Sequence, residues 1–208
     1  MTYLPKPNEG GTFVPPPAGT FPAICYRILD LGTQQTSYMG KPKRAHKILI
    51  SWELKDEEAK TEDGQPMTVH QSFTWSMHEK ASLRKVLESW RGKTFTESDF
   101  GPGGFDVRKL LGVPCFLGIV HAEKDGNTYA NISAISKLPK GMSAGEPINK
   151  PLYMWIEEGL FDRDEFLKLS ERLQEKIKSS PEYQAMTNGH APQEHVIDGD
   201  FHSDPIPF

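Results

Sequence analysis

The chain has 208 residues, 37% hydrophobic and 25% charged, with 17 Pro, 18 Gly and a formal net charge of −4. That is enough for one good core, or one domain with additions, in a soluble and loop-rich chain with disordered parts. No apolar run approaches the roughly 20 residues of a membrane span, the opening MTYLPKPNEGG lacks the order of a signal peptide, and Cys25 and Cys115 read as buried free thiols of a reducing cytoplasm.

In chain order, residues 1–19 hold five prolines and three glycines and read as an extended N-terminal arm. Residues 20–31 form a first strand that ends at Gly32, and polar residues 32–42 read as a loop. Residues 44–55 alternate, with Ile48, Ile50, Trp52 and Leu54 on one face and Lys47, Leu49, Ser51 and Glu53 on the other. A charged connection around Asp63-Gly64 leads to a third strand, 66–76. Ser76-Met77-His78-Glu79 has a capping-box pattern, and Leu83, Val86, Leu87 and Trp90 follow at helical spacing up to Gly92. Two further strands, 113–122 and 127–137, flank a turn at Asp125-Gly126.

The expected fold is therefore mainly β with added helices. The order β-β-β-α-β-β over residues 20–140 is that of a five-stranded OB-fold barrel, which commonly binds oligonucleotides, although other five-stranded barrels share it. Residues 141–186 read as a linker and a helical extension, with a helix at about 162–178 that begins at Asp162 and ends at Ser180-Pro181. One amphipathic helix cannot fold alone, so it must pack on the barrel or on a second subunit of a homodimer. Residues 187–208 read as a disordered acidic tail.

Charge is unevenly distributed. Residues 20–140 hold 17 Lys and Arg against 14 acids, while residues 187–208 hold four acids and no Lys or Arg. A mildly basic domain followed by an acidic tail fits a partner that is itself a polyanion. Single-strand binding needs cations for phosphates and flat side chains for bases. Lys41, Lys43, Arg44 and Lys47 put four cations into seven residues, with Tyr38 just before them, where the first loop meets the second strand. Trp52, Phe73 and Trp75 share faces with apolar neighbours, so core is their default, but a small barrel cannot bury all of them. One of Trp52 and Trp75 is expected to stack a base, and Tyr26 could face the same groove. Phe116 and Tyr129 are weaker candidates, Trp90 packs its helix, and His121 is structural by default.

Chemistry for catalysis is missing from the pattern. Gly92-Lys93-Thr94 lacks the opening glycine of a phosphate-binding loop, because Leu87 stands there, and it follows a helix where such a loop precedes one. His190, His195 and His202 are spread along the tail and make no metal site. No nucleophile is paired with a base. The expectation is a protein that is not an enzyme and needs neither cofactor nor metal.

The final residues Asp198, Asp200, Phe201, Asp204, Ile206, Pro207 and Phe208 end an acidic stretch on an apolar tip. A partner can hold the terminal ring and carboxylate together with one apolar pocket and one basic side chain. The tip resembles the C-terminus of bacterial single-stranded DNA-binding proteins, with His202, Ser203 and Pro205 interrupting the acids. Leu83-Arg84-Lys85, Glu88 to Lys93, Phe105-Asp106, Leu110 to Cys115, Tyr129 to Ile132 and Leu138 to Gly141 resemble small single-stranded DNA-binding proteins of phages and prophages. The resemblance implies an OB-fold, coating of single strands during phage replication or recombination in a bacterial host cytoplasm, and a tail that recruits replication or recombination proteins. A strand-annealing accessory protein and an adaptor that mimics the tail without binding DNA are the competing expectations.

Overall fold

The computed structural model describes residues 14–38, 40–100 and 104–188. Its framework is a sheet of six strands: β1 (Gly19–Tyr38), β2 (Lys41–Leu54), β3 (Thr68–Thr74), β4 (Pro114–Lys124), β5 (Asn127–Ser136) and β6 (Leu152–Met154). The path is β3-β2-β1-β4-β5, antiparallel throughout, and β6 adds to β1 in parallel. Among the described residues four α-helices accompany it: α1 (Ser82–Arg91), α2 (Arg163–Leu167), α3 (Glu171–Lys178) and α4 (Pro181–Asn188). No ladder joins β3 to β5 among the described residues, so the sheet is open there, and α1 packs against both of those strands. Among the described residues no helix is long and apolar enough to cross a membrane.

β1 is the spine. Its first part pairs with β4 from Gly19↔Ile119 to Ile24↔Pro114, and β6 takes over from Arg27↔Leu152 to Leu29↔Met154. Of the loop expected at 32–42, the residues up to Tyr38 belong instead to β1 and those from Lys41 to β2. Beyond a register shift at Asp30/Gly32, β1 and β2 continue as a two-stranded arm from Thr33↔His46 to Tyr38↔Lys41. The arm escaped notice because both of its faces are polar, so no apolar alternation marks it. Gly32 permits the kink at its base: it has φ +64°, and a Cβ there would lie 2.5 Å from the Ser180 side chain.

The hairpin at Asp125-Gly126 forms as expected, with both residues at positive φ. The capping pattern at Ser76 does not start a helix. Ser76 Oγ accepts from the His78 N–H in a turn, and α1 begins only at Ser82. Its buried Leu83, Leu87 and Trp90 keep the expected spacing, and Gly92 closes it in the left-handed conformation. The single helix expected at 162–178 is two. Asp162 caps α2 as expected, but Ser170 is extended and separates α2 from α3. α3 ends at Lys178 as expected, and Pro181 then opens α4, which includes Thr187 and Asn188.

Two cores form. The first lies between one face of the sheet and α1, with Ile48, Ile50, Trp52 and Phe73 against Leu83, Leu87 and Trp90. The second lies on the opposite face of β1–β2, where Leu29, Leu31 and Leu49 meet Met154, Phe166, Leu169 and Ile177. Hence Leu49, Ser51 and Glu53, on the polar-looking face of β2, are also buried. The segment 141–186 packs on the same chain's sheet, completing it with β6 and covering it with α2–α4. Glu53, fully buried, ties the connecting segment down. Its carboxylate accepts from the Ile148 N–H (2.8 Å), the Asn149 N–H (2.7 Å), Asn149 Nδ2 (2.7 Å) and Lys55 Nζ (3.3 Å).

Candidate nucleic-acid interface

Where β6 ends, its side chains alternate. Leu152, Met154 and Ile156 pack into the second core, and Tyr153 and Trp155 face the other way. That alternation builds a row of near-parallel rings. Tyr153 and Trp155 lie 5.7 Å apart at 12°, and Trp155 and His46 lie 5.9 Å apart at 18°. Trp75, just beyond β3, meets the Trp155 ring edge-on at 5.4 Å, and the Trp75 N–H donates to the His46 carbonyl (2.8 Å). Trp75, Tyr153 and Trp155 are partly exposed along a groove of about 780 Å³ that Phe105, Arg108 and Lys109 also line, and His46 stands outside that lining.

The cations of the groove differ in how far they are committed. Arg91 is bound to Asp99 (2.6 Å) and lies over the Phe95 ring, and Asp99 is held well below the usual carboxylate range, first by the Thr96 N–H and then by Arg91. Arg108 lies 6.0 Å from the Tyr153 ring centre and pairs with Asp106, whose carboxyl it holds below its ordinary value. Lys109 is exposed beside it. At the base of the arm, Lys47 Nζ donates to Thr74 Oγ1 (2.8 Å), next to Trp75. Burial lowers its pKa, and the positive charges of Lys176 and Lys43 lower it further. Those neighbours join the arm to α3 in one cationic patch, with Lys41, Lys43 and Arg44 exposed along the arm.

The residues singled out from sequence divide accordingly. Trp75 lines the groove, and Lys47 bonds Thr74, the residue before Trp75. Trp52 is fully buried near the end of β2, 5.7 Å from Trp90, so a base cannot reach it and its role is packing. Tyr26 is also buried, with the Arg27 guanidinium over its ring, and does not line the groove. Both corrections have one cause: β1 and β2 are the central strands, covered on both faces. Tyr38 pairs through its backbone with Lys41 at the end of the arm. His121 Nε2 donates to the Pro16 carbonyl (2.8 Å), and Tyr129 is exposed on the β4–β5 hairpin. As a ring nitrogen facing a carbonyl oxygen, His121 Nε2 carries the proton. Asp198, Asp200, Phe201, Asp204, Ile206, Pro207 and Phe208 lie outside the described residues.

Sequence reasoning missed Tyr153, Trp155, His46 and Arg108. A signal existed in the Leu-Tyr-Met-Trp-Ile run of 152–156, whose aromatic and aliphatic residues alternate. It was obscured by the Pro/Gly-rich surroundings. Comparison with models of known protein families and with curated proteins finds no match.

Proposed function

We propose that this chain is a non-catalytic protein that binds single-stranded DNA without sequence preference, as a coating protein of phage or prophage replication or recombination. The observation that carries the reading is the ring row of Tyr153, Trp155 and His46 with Trp75 beside it, adjoining the cationic arm. Rings offer stacking to any base, and a cationic track follows the backbone whatever its sequence. We read the five-strand path as an OB-fold barrel opened between β3 and β5, with α1 across the opening.

The testing experiment is a titration of intrinsic tryptophan fluorescence with oligo-dT, beside a duplex of the same length. Trp52 and Trp90 are buried, so quenching would report Trp75 and Trp155. Strong quenching by the single strand alone supports the reading, and no response, with no change in anisotropy, refutes it. Replacing Lys43, Arg44 and Lys47 together by glutamine is expected to flatten the dependence of log affinity on log salt by about two units, since each single-strand phosphate contact accounts for roughly 0.7. An unchanged slope removes the arm from the interface.

The acidic tail completes the proposal as a recruiting element for replication or recombination proteins. Deleting Ile206, Pro207 and Phe208 should leave oligo-dT affinity intact or tighter while abolishing capture of such partners. Loss of DNA binding on this deletion would contradict the division of roles.

A further inference from the structure

Asp30 is a buried carboxylate on β1, 1% exposed, at the hinge of the arm. Its Oδ1 accepts from the Gly32 N–H (2.8 Å) and lies 2.6 Å from His46 Nε2. Its Oδ2 accepts from the N–H of Ile156, the residue after Trp155 (3.3 Å). One carboxylate thus holds the kink of β1, the imidazole of β2, and the backbone that carries Trp155. The other ring nitrogen, Nδ1 of His46, lies 3.7 Å from Glu182 Oε1 on α4. Glu182 itself accepts from the Thr33 N–H and hydroxyl on the opposite strand of the arm. The charged groups facing the imidazole are therefore Asp30 from β1 and Glu182 from α4; the segment after β6 presents the Trp155 ring, and Trp75 bonds the His46 backbone.

We propose that His46 is a positioning residue for the stacking row: held between Asp30 and Glu182, it sets the plane of Trp155 and ties the arm to α4, so that single-strand affinity follows the charge on His46. The inference rests on the single-strand reading above. A protonated imidazole presents an N–H to each carboxylate and a cation to the Trp155 face. A neutral one keeps the N–H toward Asp30 and turns a lone pair toward Glu182, which loosens the α4 contact. The hydrogen bond to Asp30 raises the His46 pKa above its ordinary value; burial opposes this, and the charges of Asp30 and Glu182 add to it. The raised value puts the full contribution below about pH 6.5 and its loss as pH rises through the folded-state value. An added positive charge beside a polyanion site strengthens binding, so affinity should fall over the same range.

The test has two arms on the full chain. In the first, tryptophan emission of the free protein is followed from pH 5.5 to 9 for the parent, H46Q, W155F and E182Q. The parent should show a sigmoid centred above pH ~6.5, absent in H46Q and W155F and shifted to lower pH in E182Q. In the second, oligo-dT affinity at pH 6 should exceed that at pH 8.5 by roughly fivefold, the low end of site-to-site coupling, and H46Q should be flat. A parent titration that persists in H46Q, or an unmoved midpoint in E182Q, overturns the proposal. Oligonucleotide binding whose pH dependence is the same in the parent and H46Q overturns it while leaving the single-strand reading intact. The expected fluorescence titration with no oligonucleotide binding at any pH overturns both.

Discussion

Replacing Trp155 by alanine should weaken oligo-dT binding by roughly 5- to 150-fold, the equivalent of about 1–3 kcal/mol for one lost stacking partner. Trp155 is expected to matter more than its neighbours because it is the middle of the row. It lies against Tyr153 on one side and His46 on the other, and it receives the edge of Trp75. Its removal releases the rings beside it, which rest on its two faces. W155F should retain most of the affinity, since a flat ring still fits the row. The measurement is fluorescence anisotropy of labelled oligo-dT, with a thermal melt of each variant to establish that it is folded at the assay temperature. Parent-like affinity in a folded W155A would place the strand elsewhere on the surface.

The largest stability effect should come from Glu53. Its replacement by alanine should cost about 3 kcal/mol, because it strands buried hydrogen-bond donors and leaves Lys55 without its carboxylate. In a chain of this size that lowers the melting temperature by roughly 6–12 °C. The Ile148 and Asn149 N–H groups and the Asn149 amide would lose their acceptor together, and with them the anchor of the segment leading to β6. Burial alone would raise the Glu53 pKa, but the donors from Asn149, Ile148 and Lys55 outweigh it, and the value is lowered. A lowered carboxylate contributes its full stabilisation above the unfolded value of about 4.3 and loses it as pH falls through the folded value. The gap between parent and E53A in urea unfolding should therefore be widest near neutrality and shrink below pH ~4. A gap that is constant with pH would mean that packing, not the charge, carries the effect. E53Q, which keeps the volume and one acceptor, should fall between the two.

The sequence is legible where one face of an element is apolar and the other wet. The strands that became β3, β4 and β5 show this, as do the Leu83, Leu87 and Trp90 stripe and the Asp125-Gly126 turn. Their periodicity reports burial directly, because water on one side forces alternation. The same logic misleads on β2, where Ser51 and Glu53 read as a solvent face yet are buried under a second layer. It is silent on the arm, where neither face is apolar, and on β6 the short alternation of 152–156 is hidden among prolines and glycines.

The site divides along the same line. Sequence by itself determined the mainly β character, the helix between the third and fourth long strands and the cationic run from Lys41 to Lys47, because each depends on residues close together in the chain. Only the tertiary structure decided that Trp52 and Tyr26 are packed in the interior, and that Tyr153, Trp155 and His46 stand in one row. That row joins residues more than a hundred positions apart, held together by the parallel addition of β6 to β1 and by the buried Asp30. Local patterns carry the tendency of a segment to bury one face. They do not carry the identity of what arrives to cover it, and here that arrival set which aromatic rings were enclosed and which were left facing the groove.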